Sequence, residues 1–301
     1  MGEKDIVSKT LESFNEVFAD IVNVFLLDGK EIIAPDELDD EMVFTQYKAD
    51  EKLRYQERDI LKRWKRNGIK IAIFGIENQS SVDKLIAARI ISYDGASYRN
   101  QLNENANGLL HPVITLVLYF GKEKWSGGTS LMDCLDVPEE LKPYVSDYKI
   151  HVFDINDITE EQVGKLKSDF RHIAKYMLYR NNINEYEPED TKVYHLKEVA
   201  DFLRVFEHDD RFIKAYNNCK HKEEVTMCEF VDKLEARGEA RGEARGEARG
   251  REKERENSIK IAILAFKKLK STAEAARDYI MESYNLSGEL AGEKVQQYWN
   301  S

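Results

Sequence analysis

Cysteine is scarce: Cys134, Cys219 and Cys228 are the only three in 301 residues. They are odd in number and far apart, which excludes a disulfide framework and a zinc-ligand spacing, so idle or buried thiols are expected. Long apolar runs are missing as well. No stretch of eighteen apolar residues occurs, so neither a membrane span nor a membrane partner is expected. The opening residues, MGEKDIVSKTLESF, lack the apolar centre of an export signal, and a cytoplasmic location is the expectation. Positive charge is in deficit, with 45 Lys and Arg against 56 Asp and Glu and a net charge of −11. That balance argues against a simple nucleic-acid coat protein, because phosphates demand Lys and Arg. Local distribution still outweighs the sum.

What is present is a globular composition, 42% apolar and 34% charged, long enough for one substantial core and a second unit. Lys62, Arg63, Lys65, Arg66 and Lys70 make a local basic cluster, whereas residues 28–51 are strongly acidic. Residues 5–27 carry Phe14, Val17, Phe18, Ile21, Val22 and Phe25 at helical spacing and end at Asp28-Gly29. A polar connection with Pro35 follows. Residues 58–64 and the β-branched run IKIAIFGIE at 69–77 then flank Asn67-Gly68, a strong hairpin signal.

Helical spacing returns over 81–104, with Leu85, Ala88, Ile91 and Tyr98 on the expected inner side. PVITLVLYFG at 112–121 has the length and continuity of a central strand covered on both faces. A long loop at 122–147 separates it from a further strand, YKIHVFDI, at 148–155. This order predicts a mixed α/β core. Helical patterns follow at 159–180, 190–216 and from 220 onward. Glu-Ala-Arg-Gly then occurs four times at 235–250. Its charges support a helix by a few tenths of a kcal/mol per pair, while each glycine costs about 1 kcal/mol. An exposed marginal helix and a flexible spacer both fit. SIKIAILAFKKL at 258–269 resumes an amphipathic pattern, consistent with a small terminal helix pair.

Three polar residues stand where an apolar hairpin has no need of them. Asp59 begins the first strand, and Glu77 and Gln79 end the second. Positions 59 and 77 are equidistant from Gly68. An odd loop or one bulge sets the two carboxylates across from each other, whereas a strict two-residue turn sets Asp59 opposite Ile76. Adjacent carboxylates resist joint ionisation unless a cation lies between them, and Mg²⁺ suits such oxygen ligands. Gln79 shares the face of Glu77, and its amide can hold a water or a phosphate oxygen. Spacing alone also allows a strand cap at Asp59 and a solvated turn at Glu77-Asn78-Gln79.

The run RDILKRWKRNGIKIAIFGIENQSS, followed by a helix and by HPVITLVLYFGKEKWSG, resembles the Rpn family of recombination-promoting nucleases, also grouped as PD-(D/E)XK transposases. FNEVFADIVNVFLLDGKEIIAPDEL and the Glu-Ala-Arg-Gly tail are similar to segments of that family. The resemblance covers residues 5–180 and implies a restriction-endonuclease-like αβββαβ core followed by a helical C-terminal region. It implies Mg²⁺-dependent DNA cleavage with Asp59, Glu77 and Gln79 as the catalytic residues. The metal set it implies is Asp59, Glu77 and Asn78. Arg58 stands where the superfamily name has proline. The superfamily often adds an acid from the first helix. Glu16 and Asp20 are the candidates, with Asp20 slightly favoured.

The expected organisation is a nuclease-like domain at 1–180, a helical extension at 181–234, the repeat at 235–256 and a C-terminal helical segment at 257–301. Those last helices are expected to mediate self-association. Lys62, Arg63, Lys65, Arg66 and Arg89 are the expected DNA contacts, although a solvated hairpin edge explains the cluster equally well. Arg89 and Tyr93 lie one turn apart, and an arginine covering a tyrosine is an equal alternative. Trp125 can stack on a base or anchor its loop, and His111 and His151 read as ordinary. A nuclease fold without activity, serving as a DNA- or protein-binding module, is the competing reading. The choice among recombination, mobile-element movement and phage defence is not legible in the residues.

Overall fold

A computed structural model describes residues 3–41, 44–49, 52–104, 108–219, 221 and 224–299. Two units divide the chain, residues 1–234 and 235–301, and each is described by itself.

The hairpin organises the first unit. Strands β4 (Ile60–Arg66) and β5 (Ile69–Gln79) meet at Asn67 (φ 52°) and Gly68 (φ 76°). Both turn residues are left-handed, which is the turn an Asn-Gly pair permits at least cost. Pairing starts at Arg66↔Ile69 and Lys65↔Lys70, then slips between Trp64 and Lys65, so that Trp64 faces Ala72. Ile71 is therefore an extra residue, a β-bulge. The slip makes Ile60 the partner of Ile76 and carries position 59 to position 77. A two-residue turn and a bulge coexist, and the bulge decides the register.

Strand β1 (Leu38–Asp40) lies antiparallel along β4, with Asp39↔Arg63 and Asp40↔Lys62 in register. It falls within the stretch that reads as a polar connection, as does the separate two-stranded ladder of β2 (Phe44–Ala49) and β3 (Lys52–Glu57). Beyond β5 the chain crosses through helix α3 (Ile86–Glu104) and returns as β6 (Val113–Tyr119), parallel to β5. Strand β7 (His151–Asp154) adds in parallel, completing the order β1-β4-β5-β6-β7. A mixed α/β sheet is thus present, with β6 central as its continuous apolar run predicts.

Side chains of β6 alternate between two clusters. Leu116 and Leu118 join the main core, while Val117 packs with Ile86, Ala87 and Ile90 of α3. The main core takes in α1 (Glu3–Glu12) and α2 (Asn15–Phe25), so the single expected helix is two, broken at Ser13-Phe14. Asp28 (φ 57°) and Gly29 (φ 76°) end it as expected. On α3 the buried face is Ile86, Ala87, Ile90, Asp94, Ser97 and Gln101, and Leu85 is exposed. The apolar spacing selects the wrong stripe because half of the true one is polar.

Helices α4 (Glu160–Lys165), α5 (Phe170–Tyr179), α6 (Leu196–Glu207) and α7 (Arg211–Cys219) follow. Phe170, Phe202, Phe206 and Phe212 place α5, α6 and α7 in the same core as α1 and α2. Helix α8 (Met227–Lys268) seats Met227, Phe230 and Val231 there too. The backbone of the four repeats, 235–250, is helical within α8. In the second unit, Ile259 and Ile263 of α8 pack with Ala276 and Ile280 of α9 (Ala273–Tyr284) and with Ala291 and Val295 of α10 (Gly288–Trp299). Three helical segments, not two, make this small core.

Candidate active site

The bulge brings the two acids together. The backbone N–H of Asp59 donates to Glu77 Oε1 at 3.2 Å, and the Asp59 carboxylate accepts from the Asn78 N–H at 2.7 Å. Glu77 is buried, at 1% exposure, while Asp59 is half-buried. Burial, and then the neighbouring Asp59 charge, push the Glu77 carboxyl well above the usual carboxylate range. Three cations stand close: Lys9 Nζ lies 3.0 Å from Asp59 Oδ1, and Arg58 Nε and Arg89 Nη2 each lie 3.8 Å from a Glu77 oxygen.

Arg58 belongs to a buried network below this pair. Its guanidinium donates to Asp94 Oδ1 at 2.9 Å, to Ser97 Oγ at 3.3 Å and to Thr115 Oγ1. Asp94 also accepts from Thr115 Oγ1 at 2.7 Å and from the Tyr148 hydroxyl at 2.5 Å. The guanidinium passes under β5 at Gly75, where an added Cβ would sit 2.7 Å from Arg58 Nη2. The residue in the proline position therefore ties α3, β6 and the approach to β7 to the strand that carries Glu77. Its only sequence signal is an aspartate on the inner side of a helix, which apolar periodicity passes over.

The remaining expected residues divide. Gln79 ends β5 on the side of Glu77, its backbone carbonyl accepts from Phe120 N at 2.8 Å, and its amide makes no hydrogen bond among the described residues. Asn78 turns its side chain to the other face and donates to Glu12 Oε2 at 2.6 Å. It thus braces Asp59 through its backbone and Glu12 through its amide. Glu12, at the end of α1, is fully buried, and burial raises its carboxyl to about 8, with the Asp59 charge adding to the rise. Its Oε1 has no hydrogen-bond partner, nor has Asn78 Oδ1.

Glu12 is the first-helix acid next to the pair. Asp20, favoured on sequence, accepts instead from Lys167 N at 2.8 Å and from Ser168 N and Oγ at 2.7 Å. Glu16 pairs with His195 at 2.7 Å. Both point to the side chains and backbone of the helical region because α1 and α2 are separate helices with separate inner faces.

Four of the five basic residues of the cluster pair with carboxylates. Lys62 is 1% exposed, lies over the Phe18 ring and donates to Asp40 at 2.6 Å. Arg63 is held by both oxygens of Glu41 at 2.5 and 2.7 Å, Lys65 pairs with Asp39, and Arg66 pairs with Glu37 at 3.2 Å. The acidic stretch of the sequence is the partner of the basic one. Arg89 differs: it is 42% exposed, donates to Asp83 at 2.8 Å and approaches Glu77. Trp125 anchors its loop, with its backbone N–H donating to Asp154 at 2.6 Å and its ring edge-on to Tyr119. All three cysteines are free.

These features define a mixed α/β protein with a carboxylate pair, Glu77 buried and Asp59 half-buried, at the open end of a bulged hairpin. Comparison with known proteins adds the family. The description "Putative transposase, YhgA-like" matches residues 37–200, more than half of the chain, and the protein belongs to that family. This is the grouping that the hairpin motifs resemble, and it carries a nuclease-like or mobile-element role. No curated protein and no solved structure matches the chain. Among the described residues no helix is long and apolar enough to cross a membrane.

Proposed function

We propose that the protein is a divalent-metal-dependent DNA endonuclease whose catalytic residues are Asp59, Glu77 and Gln79. The observation that carries the reading is the pairing of a buried Glu77 with Asp59 across a register that only the bulge creates. A hairpin built for stability alone gains nothing from setting a carboxyl in a desolvated place beside another acid. The order of elements supports it: a helix, three antiparallel strands β1, β4 and β5, the crossover helix α3 and the parallel strand β6 follow the αβββαβ plan.

The donor set fits Mg²⁺ in its usual mode, in which one or two carboxylates hold the ion and phosphate and water fill the rest. It does not fit a closed cage, since among the described residues no three carboxylate, imidazole or thiolate groups are gathered to hold a metal. Asp59 and Glu77 would hold the ion. When bound, it supplies neutralisation of charge on the scissile phosphate and a more acidic water. Around it the chain's own groups have distinct tasks. The free amide of Gln79 orients a water or phosphate oxygen on the Glu77 side. Arg89 pairs with a phosphate oxygen, and Lys9 balances Asp59 until the ion arrives. Arg58 fixes the height of Glu77 through Asp94 and Thr115.

One contact favours the second reading, a nuclease fold that serves only as a binding module: the Lys9 ammonium already occupies the side of Asp59 at 3.0 Å. Plasmid nicking with and without Mg²⁺, by the wild type and by Asp59→Ala, separates the two. Metal-dependent nicking that disappears in the variant is expected. Equal nicking by both proteins would refute the site, and no nicking by the wild type would favour the binding module.

A further inference from the structure

The β4 cations pair with acids at 37–41, which leaves open where a polyanion would lie. A groove of about 600 Å³ opens at the carboxyl ends of the parallel strands β5 and β6, the end of an open α/β sheet at which ligands collect. It begins at Ser80, the residue after Gln79, and is also lined by Ser81, Lys4, Lys122 and Arg180. An adjoining groove of about 520 Å³ shares Lys4 and Ser80 with it.

Its cations differ in kind from those of the hairpin. Lys4 is half-buried over the Phe206 ring, Lys122 is exposed, and neither has a carboxylate partner among the described residues. Arg180 donates to the Gly121 carbonyl at 2.9 Å and to the Asn156 side-chain oxygen, again with no carboxylate partner. Two acids, Glu123 and Glu207, also line the groove, so charge favours an anion by three to two before the serine hydroxyls are added. Three cations without a carboxylate hydrogen bond thus converge on one groove in a protein of net charge −11.

We infer that this groove carries the phosphate backbone of the DNA strand leading into the Asp59–Glu77 site, held by Lys4, Lys122 and Arg180 with the Ser80 and Ser81 hydroxyls. This rests on the endonuclease reading and names the path of its substrate. The groove is contiguous with the site: the Gln79 carbonyl accepts from Phe120 N at 2.8 Å, and Phe120 is itself part of the wall. A strand leaving the scissile position over Gln79 meets Ser80 next.

The test is equilibrium binding of a short fluorescein-labelled DNA duplex over a salt series, with calcium in place of magnesium, alongside plasmid nicking in magnesium. For Lys4→Glu/Lys122→Glu the affinity should fall by roughly tenfold or more, and the slope of log affinity against log salt should drop by about two. Lys65→Glu/Arg66→Glu should leave the slope near that of the wild type. If the double groove variant does not fold, Lys122→Glu alone, on an exposed side chain, should lower the slope by about one. An unchanged slope in the groove variants overturns the path, and if the wild type still nicks DNA the endonuclease reading survives it. A wild type that binds through the groove but never nicks leaves the path standing and sinks the nuclease. Wild-type protein that binds no DNA overturns the path outright.

Discussion

Replacing Glu12 by glutamine should make the protein more stable at alkaline pH, and the gain should grow with pH. Glu12 is fully buried and its carboxyl is raised from 4.5 to about 8. A carboxyl raised in the folded state keeps its proton while the unfolded chain has lost it. Its contribution to stability is therefore complete below the unfolded value near 4.5 and is lost as pH rises through about 8. At about 1.4 kcal/mol per pH unit over the window in which the two states differ, the loss between roughly pH 6 and pH 8.5 is about 2.5 kcal/mol. Glutamine keeps the acceptor that Asn78 Nδ2 uses and cannot ionise, so this loss disappears. Urea unfolding of both proteins across that window reads it directly, and Glu77 cancels in the difference because it is present in both. Curves that stay parallel would show that Glu12 is not carrying its proton and would undo the argument. Glu12→Ala is the contrasting control: it leaves the Asn78 amide buried without its acceptor and should be less stable than Glu12→Gln at every pH, by about 1–3 kcal/mol.

Glu77→Gln should abolish metal-dependent cleavage with the fold intact and, by the same sign, raise stability at alkaline pH; retained nicking would remove Glu77 from the site. Gln79→Ala should slow cleavage without weakening metal binding, and calorimetry that shows lost Mg²⁺ affinity would contradict its assignment. Lys62→Glu should unfold or strongly destabilise the first unit, by about 3–5 kcal/mol, since it sets an acid in a buried place beside Asp40. A stable variant with weakened DNA binding would restore Lys62 as a DNA contact. Deleting 239–250 should leave the melting temperature of the first unit and its nicking unchanged, because its core ends at Val231 and its partly buried neighbour Leu234. A drop of several degrees would mean that the repeat packs on that unit.

The hairpin, the central strand and the acids of the site are legible in the residues because their signals are local. Asn67-Gly68 admits few turns, and PVITLVLYFG has no polar break. The register between Asp59 and Glu77 is not legible, because the Asn67-Gly68 turn is compatible with both alternatives and the slip between Trp64 and Lys65 selects one. The first-helix acid is missed for a related reason. Periodicity runs through Ser13-Phe14 as if one helix continued, whereas the chain breaks there and Glu12, at the end of α1, is the helical acid beside the pair. On α3 the inner face escapes notice because Asp94, Ser97 and Gln101 are buried by hydrogen bonds and not by apolar character.

Charge shows most clearly how sequence proximity misleads. Lys62, Arg63, Lys65, Arg66 and Lys70 attract notice as a cluster, and residues 28–51 as its opposite, but proximity along the chain says nothing about partners across a sheet. Once β1 lies on β4, the four cations of β4 each meet a carboxylate about two dozen residues away, and the pair of strands presents little net charge. The groove cations Lys4, Lys122 and Arg180 come from α1, the loop after β6 and the end of α5. No window along the chain contains two of them. A binding surface assembled from strand ends and helix ends is invisible to any reading of local composition. An excess of acid in the whole chain says nothing against one, since the acids are consumed where they pair.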